Sequence, residues 1–326
     1  MQLKAKRKLF VVIQPLQYLQ ALELLEKDEK NILIVPWATK ENQLHKLVNE
    51  KDWENVIWIE YSGSALDIIK NRQAIMNMLN ELGSFDEVIL SAYYNEFMNL
   101  IANSNPNSNI VLLEDGNATL TIESSKHYKN IKFWSKYFIC KLLGFDIRPI
   151  NNVTLFILDR LEKMKTPTIA ANVKVNDFCK LRAEVENYDT NDAVYFISSA
   201  FINAGMISKQ KYIDFLISLA GKYTKNKFKI ILHRFDKKSD FIELEILEHL
   251  EIIESTGPIE LYFKEEKIRP LKIISAGSGA TETLNLIYGV DVNITMPKIA
   301  NFNPSYRTNV ELLVKHFQKS YNVEFL

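Results

Sequence analysis

At 326 residues, with 47% hydrophobic and 25% charged residues, the chain is long enough for two ordinary domains whose cores need neither disulfide nor metal. Forty Lys and Arg balance forty Asp and Glu, so no global field draws it to nucleic acid, and an anionic ligand has to be met locally. Cys140 and Cys179, the only cysteines, form no CxxC and have no His nearby in sequence, which argues against a disulfide scaffold or a zinc site and fits a reducing cytoplasm.

In chain order, the basic start Met1 to Phe10 runs into an apolar stretch of about five residues, too short for the core of a secretion signal. No apolar run approaches the roughly 20 residues of a membrane span, so a soluble protein is expected. Strands are expected at 9–14, 31–37, 55–61, 87–91 and 109–113, with helical periodicity from Gln17, Glu41, Ala65 and Asn95. This alternation predicts βαβ units and a parallel sheet with helices on both faces. Between about Thr119 and Lys165 the pattern breaks. It resumes with strands at 193–198, 227–233, 251–254, 271–275 and 292–296, and with helices at 208–222, 280–288 and 308–320. The organisation expected is two doubly wound α/β halves. Residues 1–165 form the first, 166–190 a linker, 191–307 the second, and 308–326 a terminal helix able to pack back on the first.

In doubly wound sheets ligands bind outside the carboxyl ends of the strands. Those ends carry Gln14-Pro15-Leu16-Gln17, Glu114-Asp115-Gly116-Asn117, Ser198-Ser199, His233-Arg234, Pro258-Ile259-Glu260 and Ser275 to Gly279. A cleft between the halves would gather them. Asp115, beside a second carboxylate in a partly dry site, is a candidate general base, although Asp-Gly is also a common turn dipeptide. His233 with Arg234 is suited to hold a phosphate, or else is a histidine satisfied at a sheet margin. Gly277-Ser278-Gly279-Ala280-Thr281 opens a helix and can cradle a phosphate there, or can simply let the chain turn tightly. Position 282 is Glu where a dinucleotide fingerprint needs glycine, which weakens a dehydrogenase reading. Glu260 can accept from ribose hydroxyls or favour the helix dipole. The chain has no Asp-X-Asp pair to clamp a metal-bridged diphosphate, which points to a donor with one phosphate or a metal-free reaction. Between Lys126 and Lys165, Lys129, Lys132, Lys136, Lys141 and Arg148 interleave with Phe133, Trp134, Tyr137, Phe138 and Phe145. Such a segment either docks on an anionic membrane or glycolipid, or packs its aromatic face inward beneath solvated lysines.

As an ordered set these motifs resemble the bacterial sialyltransferases, including the lipooligosaccharide sialyltransferases and the capsular polysialyltransferases. Pro15-Leu16-Gln17 resembles that family's Pro-x-Gln turn and Glu114-Asp115-Gly116 its acidic-acidic-Gly motif. Tyr195 to Ile207, followed by Tyr212, is similar to the opening of its second domain. His233 falls at its His-Pro motif, with Arg234 in place of proline. Pro258-Ile259-Glu260 falls at its Pro-x-Glu. Ser278-Gly279 falls at its Ser-Ser/Thr pair, with Gly279 in place of the second hydroxyl and Thr281 as a substitute.

The resemblance implies a GT-B fold and inverting, metal-independent transfer from CMP-sialic acid or a related nonulosonate. The acceptor would be a glycan or glycolipid hydroxyl of lipooligosaccharide or capsule. Asp115 would be the base and His233 the phosphate contact. Glu260 would meet ribose or cytosine, Ser278, Gly279, Thr281 and Ser198 would bind the donor, and Glu114, Gly116 and Gln17 would support. No cofactor beyond the co-substrate is implied. The expected place is the cytoplasm, or peripheral to the inner face of the plasma membrane. Two other readings stay open: a GT-B enzyme with a diphosphate-sugar donor, and an inactive nucleotide- or glycan-binding homologue.

Overall fold

The computed structural model describes residues 5–26, 28–36, 43–59, 65–115, 119, 122, 127–158, 167–233, 235–255 and 257–326. They form two compact units, Met1–Asp177 and Phe178–Leu326. The first runs β1 (Arg7–Val11), α1 (Pro15–Glu23), β2 (Lys30–Pro36), α2 (Leu44–Leu47), β3 (Asn55–Ile59), α3 (Ala65–Lys70), α4 (Arg72–Leu82), β4 (Glu87–Leu90), α5 (Glu96–Asn103), β5 (Asn109–Leu113), α6 (Ile131–Leu142), β6 (Val153–Leu158) and β7 (Ala170–Asn176). Its described strands form one parallel sheet in the order β3-β2-β1-β4-β5-β6-β7.

The apolar runs are nearly continuous because both faces of the sheet are covered, and successive side chains point to opposite sides. Leu9, Val11, Ile32, Ile34, Val88 and Leu90 pack into one core. Phe10, Val12, Leu33, Val35, Ile89 and Val111 pack into the other. Each fully buried side chain of this kind stabilises the fold by roughly 1.5–3 kcal/mol relative to exposure.

The second unit runs α7 (Cys179–Val185), β8 (Asp189–Ile197), α8 (Lys209–Ala220), β9 (Phe228–Leu232), β10 (Leu250–Glu254), α9 (Ile259–Glu265), β11 (Ile268–Ser275), α10 (Ala280–Tyr288), β12 (Val292–Met296), α11 (Pro304–Phe317) and β13 (Val323–Phe325). Its sheet is also parallel, in the order β10-β9-β8-β11-β12-β13. In both sheets the strand order reverses beside the first strand, between β1 and β4 and between β8 and β11. That switch point is where a doubly wound sheet opens a crevice at its carboxyl end.

Three expectations are corrected. The stretch 166–190 is not a bare linker: it holds β7, the edge strand of the first sheet, then α7 and the start of β8, and the units divide at Asp177/Phe178 inside it. The broken pattern after Thr119 conceals β6, whose run Val153–Leu158 is short and surrounded by basic and aromatic residues. The terminal helix uses its apolar face within the second unit, where Val310, Val314 and Phe317 join the core with Ile274, Ile294 and Met296. No described helix is long and apolar enough to cross a membrane.

Candidate active site

In the first unit the candidate residues converge where β5 ends. Gln14 is extended and Pro15 opens α1, its ring presetting the helical φ. Gln17 and Gln20, three residues apart, therefore share one helix face. Gln17 Nε2 donates to the Ser91 carbonyl and to Asp115 Oδ1, both at 2.8 Å. Gln20 pairs both ways with the Glu114 backbone, accepting from its N–H and donating to its carbonyl at 3.0 Å each. The α1 helix thus grips the strand end through two side-chain amides.

The two acidic residues then part. Glu114 is fully buried, and its Oε2 accepts from the Leu158 N–H at 2.8 Å, tying β5 to the end of β6. Asp115 is half-buried, with its backbone N–H donating to Thr119 Oγ1 at 2.8 Å. Burial pushes the Asp115 carboxyl above the usual carboxylate range; the Gln17 amide opposes this, and the Glu114 charge adds to it. A carboxyl held at one oxygen with its affinity for a proton raised is suited to take a proton from a hydroxyl. Gly116, expected beside it, lies outside the described residues.

In the second unit Ser198 and Ser199 end β8 and the turn from Ser275 ends β11, so the two loops straddle the switch point. Ser199 Oγ donates to the Ala276 carbonyl at 3.3 Å and links them. Gly277 has φ +81°, and a Cβ there would meet Leu313 Cδ2 at 3.2 Å and Phe317 Cε2 at 3.4 Å, so α11 packs where only glycine fits. Thr281 Oγ1 donates to the Ser278 carbonyl at 2.6 Å and lies 2.8 Å from Ser275 Oγ, from whose hydroxyl it can accept. Ser278 Oγ accepts from the Ala280 N–H at 3.3 Å. Ser278 is half-buried and Gly279 exposed at the start of α10, so this helix N-terminus is open to an anion.

Three of the residues expected to touch the donor are spent inside the fold. Thr281 is fully buried, and its hydroxyl braces the turn. Ser198 is buried against the Tyr212 hydroxyl at 3.1 Å and Asp236 Oδ2 at 3.3 Å. Glu260 is buried on α9, where Oε1 accepts from Thr283 Oγ1 at 2.6 Å and its carbonyl from the Tyr288 hydroxyl at 2.6 Å. Burial pushes the Glu260 carboxyl upward, which suits a group joining α9 to α10 better than one facing ribose.

His233 follows β9, half-buried, with Phe235 N–H at 3.4 Å from its Nδ1. Arg234 lies outside the described residues. Asp236 belongs to no motif in the sequence. Its Oδ1 accepts from Asn203 Nδ2 at 2.6 Å, its Oδ2 from Ser198, and its N–H donates to the His233 carbonyl at 2.7 Å. Burial raises the Asp236 carboxyl, while Asn203 and the positive charge at His233 lower it. Asn203 and Ser198 lie 33 and 38 residues away, so no local spacing discloses the cluster. Gln20, also in no motif, does have a local signal in its i+3 relation to Gln17. Among the described residues no three His, Cys, Asp or Glu side chains gather as metal ligands do.

Among solved structures, the UDP-GlcNAc 2-epimerase of Methanocaldococcus jannaschii is similar with a TM-score of 0.52 and 13% identity, over 96% of this chain and 92% of that one. The UDP-GlcNAc 2-epimerase of Neisseria meningitidis bound to UDP-GlcNAc gives 0.51 and 11%, over 96% and 91%. At such identities the likeness shows the fold alone, two Rossmann-like α/β units of the GT-B kind. No curated protein matches the chain. The model of one family, described as alpha-2,8-polysialyltransferase, matches residues 8–290 and spans both units. By that match the chain belongs to the alpha-2,8-polysialyltransferase family and is a glycosyltransferase.

Proposed function

We propose that this chain transfers sialic acid, or a related nonulosonate, from its CMP conjugate to a hydroxyl of a bacterial surface glycan, in lipooligosaccharide or capsule, with inversion and without a metal. The observation that carries the reading is Asp115, a half-buried carboxyl with raised proton affinity, anchored by Gln17 at the end of β5. The family supports the sialyl group and, through it, the CMP donor.

The first unit supplies the base. Asp115 takes the proton of the acceptor hydroxyl as the new C–O bond forms at the anomeric carbon. The bond from that carbon to the phosphate oxygen breaks, and its electron pair leaves with CMP. The sugar passes through an oxocarbenium-like state, so the barrier falls when the departing phosphate charge is neutralised. The second unit supplies that neutralisation. His233, the Ser278 hydroxyl and the N-terminus of α10 supply an N–H donor, an O–H donor and a positively polarised helix end respectively. Glu114, Ser198, Asp236, Glu260 and Thr281 hold these parts in place.

Thermal unfolding with added nucleotide tests the donor. CMP at about 100 times its dissociation constant stabilises the chain by about 2.7 kcal/mol and raises its melting temperature by several degrees, whereas UDP and GDP at equal concentration leave it unchanged. A shift with UDP or GDP and none with CMP overturns the assignment.

A further inference from the structure

The twelve residues of α6 contain an apolar surface that the fold does not use. Asn130 caps the helix, its side chain accepting from the Lys132 N–H. Phe133 and Cys140 are buried in the core of the first unit, with Tyr137 packed beside them. The opposite side carries Ile131, Trp134, Phe138, Ile139 and Leu142, exposed by 82, 44, 62, 50 and 73%. Their spacing of i, i+3, i+7, i+8 and i+11 places them on one face. Single exposed apolar residues need no explanation, but five contiguous ones on one helix mark a surface that is covered in use.

The flanks of the face are basic. At 100° per residue Lys132 and Lys136 fall on one side of the apolar strip and Lys141 on the other, with Lys129 just before the helix and no Asp or Glu within it. Two acidic groups outside the helix face them: Glu96 of α5, 4.0 Å from Lys136 in a weak, partly buried pair, and Asp146, which feels Lys141 but is held by Arg148. The Trp134 indole N–H donates to the Tyr128 carbonyl at 2.9 Å, which fixes the ring at the margin of the patch. An apolar strip between two rows of lysines complements an anionic lipid surface, where the rings and aliphatic chains sink below the headgroups and the ammonium groups stay among them. The helix is about 18 Å long, too short to span a bilayer and suited to lie along it. A second copy fits less well, since pairing the same faces would bring two sets of lysines together with no acidic residue on either helix.

We infer that α6 is a docking face for an anionic phospholipid bilayer, and that it holds the first unit at the membrane surface. The inference does not depend on the donor.

Flotation of the full chain with vesicles of phosphatidylcholine containing phosphatidylglycerol tests it, against vesicles of phosphatidylcholine alone. Binding to the anionic vesicles exceeds binding to the neutral ones by at least about tenfold and weakens with added salt. The paired exposed changes Phe138→Ser and Leu142→Ser preserve folding by circular dichroism and lower anionic-vesicle binding by at least about tenfold. Lys132→Glu with Lys136→Glu lowers it as well. Three results would overturn the inference: no binding to anionic vesicles, binding unaltered by the serine pair, or a concentration-dependent dimer that the serine pair abolishes. The last would assign the face to a second copy of the chain.

Discussion

Asp115→Asn lowers transfer by about 10²–10⁴-fold while the dissociation constant for CMP changes by less than about twofold. The loss is large because the variant cannot accept the acceptor's proton, and a positioned base is worth that much in the transition state. The fold survives for a reason visible in the bonding: an Asn oxygen still accepts from Gln17 Nε2, and the backbone N–H of residue 115 still reaches Thr119.

Charge acts in the same direction. Burial raises the Asp115 carboxyl, so the native state favours its protonated form. That contribution to stability is complete below the unfolded pKa and is lost as pH rises through the higher folded pKa. Asn, neutral throughout, never incurs the loss. The wild-type rate should therefore rise with pH through a value above the ordinary carboxylate range, as Asp115 ionises, and the residual activity of the variant should lack that limb. Parallel loss of CMP binding and activity in Asp115→Asn would contradict its assignment as the base.

His233→Ala behaves differently. Its rate falls by about 10²–10³-fold, the usual consequence of removing one group that stabilises developing negative charge. CMP binding weakens with it if, as proposed, the same ring meets the phosphate in ground and transition states. The Phe235 N–H at His233 Nδ1 favours the tautomer that carries its proton on Nε2, where it can be donated to a phosphate oxygen. Measuring kcat and the CMP dissociation constant together distinguishes the residues: Asp115 affects the first alone, His233 both. A His233→Ala enzyme that binds CMP normally would remove His233 from the phosphate.

Much of this was legible in the chain because a doubly wound sheet imposes a strong pattern. Apolar runs near Leu9, Asn31, Val88 and Val111 are buried on both faces, so they stand out against the amphipathic helices between them. The candidate residues follow from that, since they end those strands. β7 was not legible: its AANVKVN sequence is largely exposed at an edge and lacks an apolar run. The burial of Thr281, Ser198 and Glu260 is not legible either, because sequence places a residue along a strand or helix and says nothing of how deeply its side chain is buried. The spacing in α6 has the same ambiguity. A stripe of aromatic and aliphatic residues reads alike whether it faces a core or a membrane, and only the packing of Phe133 and Cys140 reveals that the other face was left outside. Asp236 was hidden because its partners come from distant parts of the chain.

On the proposed mechanism the CMP-linked sugar is the donor and its transfer needs no metal. The decisive assay incubates the purified chain with CMP-sialic acid and a sialylated oligosaccharide in the presence of EDTA, and follows CMP release together with the glycan product. CMP is released, faster with acceptor present, and one or more sialic acid residues are added with inverted anomeric configuration. No CMP release from any CMP-nonulosonate, or activity that EDTA abolishes, would contradict that mechanism.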